Sequence, residues 1–155
     1  MKILNKIMDG ITAILFFLFI GGLILYVIGI HPFVVMSGSM EPSIHTGSVC
    51  FVNTNIDYAM IKKGDVIAFS TGTSFVTHRV IDVTDHGLET QGDANDISDG
   101  ISVIEENFEG KTLFSIPYAG YLVKFIQTLS GKIICFTIFI VLILASFLIK
   151  DNLQK

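Results

Sequence analysis

Three short segments carry side chains suited to acyl transfer: Ser37-Gly38-Ser39-Met40-Glu41-Pro42, Thr77-His78-Arg79-Val80, and Gly92-Asp93-Ala94-Asn95-Asp96-Ile97-Ser98-Asp99. A serine hydroxyl is a weak nucleophile at neutral pH and needs a neighbouring base to take its proton as it attacks a carbonyl. Histidine suits that duty, and a carboxylate behind it holds the ring and stabilises its cation. Gly38 permits a tight backbone in which the Ser39 amide faces a developing oxyanion while the hydroxyl faces the substrate. Pro42 then fixes the chain just beyond. Taken singly, each segment has a plainer reading. Ser-Gly-Ser is usually a polar turn, a strand histidine is usually half-buried packing, and an Asx-rich stretch is often a solvated turn. The three segments together, in this order, give the chemical reading its weight.

The other reactive side chains compete poorly. His31 and His45 lie within eight residues of Ser39, which makes a local return to its hydroxyl awkward, and His86 falls in a turn pattern. Cys50, in Ser48-Val49-Cys50-Phe51-Val52, reads as an inert thiol packed in a strand, and Cys135 is too remote in the pattern to bridge it. Calcium binding by the acidic loop fails on spacing. Asp93 and Asn95 match the first two ligand positions of an EF-hand loop, but Ile97 and Ser98 replace a ligand and the glycine, and Ile104 replaces the closing glutamate.

Hydropathy and turn chemistry indicate the elements that must position these groups. Hydrophobic residues make up 51% of the 155 positions, with the excess at the two ends. Ile11 to Ile30 holds no charge, and a helix of that length rises about 30 Å, enough to cross a bilayer. His31, Pro32, Phe33 and Val34 follow it without a small-residue cleavage site, so the run is expected to stay as an anchor. Ile133 to Ile149, between Lys132 and Lys150, is a second apolar run near the lower length limit for a span. Lys2 and Lys6 before the first run, and Lys150 and Lys155 after the second, place both termini on the cytoplasmic side. The expected organisation is a cytoplasmic N-terminus (1–10), a transmembrane helix (11–30), an extracytoplasmic β-rich domain (31–132), a transmembrane helix (133–149) and a cytoplasmic C-terminus (150–155).

The middle segment has room for one modest domain. It carries twelve acidic against six basic residues, which argues against nucleic acid or an anionic lipid surface as its partner. Ser48 to Asn53, Asp65 to Ser70 and Phe75 to Val83, which contain Val, Ile and Phe, and the short run Leu88 to Gln91 read as strands. Lys63-Gly64-Asp65 and Asp85-His86-Gly87 read as the turns between them. Pro117 to Thr128 reads as a strand end or short helix. The expected fold is mainly β, a small twisted sheet.

S-G-S-M-E-P after an N-terminal span, K-G-D-V-I-A-F, T-H-R-V and G-D-x-N-x-x-x-D, in that order, resemble the type I signal peptidases. The likeness is greatest to the endoplasmic-reticulum type with Ser-His-Asp chemistry, which also occurs in archaea and Gram-positive bacteria, and it covers about residues 11 to 128. It implies a signal-peptidase-like twisted β-sheet catalytic domain with an N-terminal and a C-terminal transmembrane helix. By motif position, Ser39 is then the nucleophile, and His78 is the general base where the usual bacterial enzymes place a lysine. Asp99 orients His78, Asp93 supports the loop, the Ser37 hydroxyl and Ser39 amide bind the oxyanion, and Val35, Met40, Ile44 and Val76 line the substrate pocket. No lysine substitutes for His78, since Lys62 and Lys63 fall in the preceding turn.

The implied activity is a serine endopeptidase that removes signal peptides from secretory preproteins after small residues, the substrate binding as an added β-strand. The implied location is the cell membrane, multi-pass. The implied partners are preproteins and the lipid bilayer, with no nucleic acid, metal or cofactor. Two other readings use the same residues: a peptidase dedicated to a few clients such as pilin or biofilm precursors, and a non-catalytic, membrane-anchored binding module in which S-G-S-M is only a turn. A self-cleaving repressor-type Ser-Lys protease would want a lysine base and gives no reason for two spans.

Overall fold

In the computed structural model, which describes residues 2–151, seven strands run through the middle of the chain. They are β1 (Ile30–Val34), β2 (Val49–Asn53), β3 (Val66–Ser70), β4 (Phe75–Thr84), β5 (Gly87–Gln91), β6 (Ser102–Val103) and β7 (Phe108–Ile116). All pair antiparallel in one sheet, in the order β1-β2-β7-β3-β4-β5-β6. The β-rich expectation holds, and the four strands read from the sequence correspond to β2 through β5. Three others gave weaker signals. β1 contains Pro32, which cannot donate to a ladder, and it is tolerated because β1 pairs on one side only, with β2. β6 has two residues, and β7 carries Gly110 in its middle where a side chain would strike the Asn53 carbonyl.

Three α-helices are described, α1 (Lys2–Val27), α2 (Ala119–Gln127) and α3 (Leu129–Asp151), with short 3-10 turns at Tyr58–Met60 and Glu105–Asn107. The first apolar run was expected to be helical through Ile30, but α1 stops three residues earlier. Gly29 takes a left-handed φ of 79° and returns its amide to the Tyr26 carbonyl at 3.1 Å, a C-terminal cap that frees Ile30 to enter β1. Gly10–Val27 is long and apolar enough to cross a membrane. Of α3, the stretch Leu129–Val141 reaches that threshold only when joined to α2 across the break at Thr128. Of the expected cytoplasmic C-terminus at 150–155, residues 152–155, with Lys155, lie outside the described residues.

By their contacts the residues fall into two units, one made of the described parts of 1–24 and 124–155, the other of Leu25–Val123. In the second unit β3 alternates its side chains between two apolar clusters, as a strand buried on both faces must. Ala68 joins Val35, Met40, Ile44, Cys50 and Val52, with Phe33 and Val66 packed against them. Ile67 and Phe69 join Ile61, Val80, Leu88 and Val103. Each large side chain withdrawn from water this way contributes about 1.5–3 kcal/mol. The two clusters support different parts of the site: the segment after β1 leans on the first, β4 and β5 on the second.

Candidate active site

The segment from Val35 to Ser48 is a closed loop. Its base is tied by the Val35 amide to the Ser48 carbonyl at 2.9 Å and the Gly47 amide to the Val35 carbonyl at 2.8 Å. Met40, fully buried, plugs the loop into the first cluster, with Ile44 beside it. Glu41 braces the loop from within. Its carboxylate accepts the Thr46 amide at 2.9 Å and the Thr46 hydroxyl at 3.3 Å, and it pairs with His45 Nδ1 at 2.8 Å. These contacts, the Thr46 amide foremost, hold the Glu41 carboxyl below the usual range. Ser39 therefore projects from a loop fixed on both sides.

His78 comes from the middle of β4, where it pairs with Ile67 of β3 and is 7% exposed; its ring meets Phe69 edge-on at 6.3 Å. Nε2 lies 2.9 Å from Ser39 Oγ, and Nδ1 lies 2.6 Å from Asp99 Oδ2. An ionised carboxylate only accepts hydrogen bonds, so Nδ1 carries the hydrogen and the Nε2 lone pair faces the serine hydroxyl. Asp99 is itself held at two points by Thr90: its amide donates to the Thr90 carbonyl at 2.9 Å, and its Oδ2 accepts the Thr90 hydroxyl at 2.6 Å.

Residue types alone leave open which aspartate faces the imidazole, and the resemblance points to Asp99. Asp99 does, while Asp93 turns to Arg79, which forks onto it at 2.8 Å from Nε and 2.6 Å from Nη2 and donates through Nη1 to the Gly64 carbonyl. That bidentate pair is the main reason the Asp93 carboxyl lies below its ordinary value and the Arg79 guanidinium above its own. The acidic loop also touches the Ser39 segment directly. The Ala94 amide donates to the Ser39 carbonyl at 2.8 Å, and a Cβ on Gly92 would fall 2.5 Å from that same oxygen. Only glycine lets the two loops come this close.

Ser37 Oγ is 3.2 Å from Ser39 Oγ, and Ser37 also ends a shallow groove of about 80 Å³ whose walls are Phe33 to Met36 on one side and Phe75 to Thr77 on the other. Of the four residues expected to line a pocket, Val35 and Val76 border this groove, whereas Met40 and Ile44 point from the Val35–Ser48 loop into the first core cluster. The remaining histidines are engaged elsewhere. His31 stacks on Tyr26 at 4.6 Å, His45 pairs with Glu41, and His86 follows β4 in its turn. Cys50 is fully buried, and burial pushes its thiol up to about 11, consistent with an inert packing group. Glu41, Arg79 and Thr90 were not singled out from sequence. The first two lie inside the recognised segments, while Thr90 has no local signal at all.

Ser39, His78 and Asp99 form one hydrogen-bonded series, an order in which an imidazole held by a carboxylate can take a serine proton. The family described as signal peptidase, peptidase S26, matches residues 7–104, more than half of the chain. Signal peptidase I W of Bacillus subtilis (strain 168) is 40% identical over 89 residues, which is 54% of this chain and 47% of that protein. The signal peptidase complex catalytic subunit SEC11C of Homo sapiens, like that of Canis lupus familiaris, is 35% identical over 101 residues, 56% of this chain and 52% of the relative. The chain spans about half the length of the curated relatives it matches. With Ser39, His78, Asp93 and Asp99 all inside the matched stretch, this chain belongs to the signal peptidase family, peptidase S26.

Proposed function

We propose that this chain is a membrane-anchored serine endopeptidase that removes signal peptides from secretory preproteins. The single observation that carries the reading is the continuous hydrogen-bonded relay from Ser39 Oγ through the His78 ring to Asp99. Ser39 attacks the scissile carbonyl as its proton passes to His78 Nε2, and Asp99 stabilises the resulting imidazolium. The tetrahedral oxyanion is received by the Ser39 amide and the Ser37 hydroxyl. Collapse expels the amine of the mature protein, which takes the proton from His78. Water, deprotonated by the same imidazole, then releases the signal peptide from Ser39. Asp93, held by Arg79, fixes the loop that supports the nucleophile.

The groove bordered by Val35 and Val76 leads to Ser37, and its small volume favours short side chains before the cut. Met40 and Ile44 shape it from below by fixing the loop. The anchor, Gly10–Val27, keeps enzyme and signal-peptide helix in one thin layer and raises their effective concentration without further contacts. The β-rich domain faces away from the cytoplasm, with Lys2 and Lys6 on the cytoplasmic flank and Ile133 to Ile149 forming a second crossing.

The test is cleavage of a radiolabelled preprotein by the purified full chain in liposomes, with sequencing of the new N-terminus. A single cut after a small residue, abolished by Ser39→Ala, is the expected result. An intact preprotein, or undiminished cleavage by Ser39→Ala, overturns the proposal.

A further inference from the structure

The structure assigns to Thr90 a positioning role: its hydroxyl, by donating to the Asp99 oxygen that faces His78, keeps that carboxylate aimed at the imidazole. The inference rests on the proposed roles of Ser39, His78 and Asp99, and extends the machinery by one residue outside all the recognised segments.

Thr90 is 1% exposed and pairs with Val80 of β4, so it shares the sheet face of Val80 and, two residues along, of His78. Val80 and Leu88, its neighbours on that face, belong to the second apolar cluster. For packing alone a valine would serve there, since a buried hydroxyl is costly unless it finds a partner. Its partner is Asp99 Oδ2, 2.6 Å away, the same oxygen that lies 2.6 Å from His78 Nδ1. Two donors from neighbouring strands therefore converge on one carboxylate oxygen, and the Asp99 amide bond to the Thr90 carbonyl fixes the backbone behind it. An aspartate held at three points, two on its carboxylate and one on its backbone, does not swing away from the ring when the imidazole becomes charged.

Removing the hydroxyl leaves the Asp99 carboxylate one donor short. The unprotonated His78–Asp99 pair loses more from this than the protonated pair does, because the former carries the uncompensated negative charge. The pair then takes up a proton more readily, and the acid limb of the rate profile moves to higher pH. The other charged groups here are Asp93, which feels the charge of His78, and Arg79, which is bound to Asp93 and unchanged by the substitution. A hollow of about 130 Å³ lined by Glu89, Thr90, Ser98, Gly100, Ile101 and Ser102 lies alongside, so valine, which fills the threonine volume, is preferred to alanine, which would admit a substitute water.

Rates on a preprotein in liposomes are to be compared for the unsubstituted chain, Thr90→Val, Thr90→Ser and Ser39→Ala. For Thr90→Val we expect kcat to fall about ten- to a hundredfold with KM within about twofold, and the acid limb to shift upward. Thr90→Ser, which keeps the hydroxyl, retains kcat within about threefold. An unchanged kcat and pH profile in Thr90→Val, while Ser39→Ala is dead, overturns the role of Thr90 and leaves the peptidase reading intact. An inactive unsubstituted chain, or an active Ser39→Ala, overturns that reading itself. If Thr90→Val does not fold, Thr90→Cys, whose thiol fills the place of the hydroxyl but donates only weakly, is compared with Thr90→Ser; equal kcat and pH profiles overturn the assignment.

Discussion

Asp93 and Asp99 have the same side chain and are separated by a short loop, yet they face different partners, and this difference is testable by removing one charge at a time. Asp99 holds the imidazole through Nδ1, so Asp99→Asn presents an amide where a carboxylate is required and favours the wrong tautomer of His78. A loss in kcat of about 10⁴-fold is expected, with little change in KM. Asp93→Asn instead weakens the fork to Arg79 at one remove from the reacting atoms, and a loss of no more than about tenfold is expected. Steady-state kinetics of both variants on one preprotein checks the pair; equal losses would contradict the separation of roles. The residue types and order drew attention to Ser39, His78 and the acidic loop because few side chains perform those duties. The choice between two aspartates six positions apart was legible only through motif position, which pointed to Asp99; residue type is silent, since the choice depends on which one the loop presents to His78 and which to Arg79. Glu41 and Thr90 were hidden for the same reason: their roles come from neighbours supplied by folding.

At the scale of elements, the site depends on how closely two loops approach. The Gly92 loop leaves β5 at Gln91 and immediately meets the nucleophile loop, with the Ala94 amide on the Ser39 carbonyl. A methyl group at position 92 would have to fit 2.5 Å from the Ser39 carbonyl oxygen and 3.0 Å from the Ser39 Cβ, so one loop must move. Gly92→Ala is expected to lower kcat about 10²-fold by displacing Ser39 from His78 while the far-ultraviolet dichroism stays unchanged. A rate close to that of the unsubstituted chain would show that the contact is compliant. The strand carrying His78 was readable from its β-branched run, and the one carrying Thr90 from the Asp85-His86-Gly87 turn before it. β1 was not, because it begins inside the apolar run of the anchor and contains a proline, and β7 was not, because Gly110 interrupts its pattern and its register shifts against both neighbours. These two strands complete the sheet that positions the readable ones.

At the scale of the molecule, carboxylates tie distant segments together. Asp93 binds Arg79 across the acidic loop, Asp65 binds Lys111 of β7 at 2.7 Å, and Glu41 closes the nucleophile loop. All three carboxyls titrate below their ordinary values. For Asp93 the Arg79 hydrogen bond leads; for Asp65 burial pulls the other way, and the contacts from Lys111 and the Lys62 amide outweigh it. A group whose folded value lies below its unfolded value, about 3.9 for aspartate, contributes stability that is present above the unfolded value and lost as pH falls through the folded one. The surplus of acidic residues between 31 and 132 acts in the opposite sense, since mild acidification relieves their mutual repulsion. The two effects separate by pH window. Thermal melts of the full chain in detergent should be level or slightly rising from pH 7 to 5, then fall by roughly 5 °C or more between pH 4.5 and 3. In Asp93→Asn, which has no carboxyl to protonate, the starting melting temperature is lower and the acid decline is shallower. A decline that begins near pH 6, or one that is identical in Asp93→Asn, would place the acid sensitivity in some group other than these paired carboxylates.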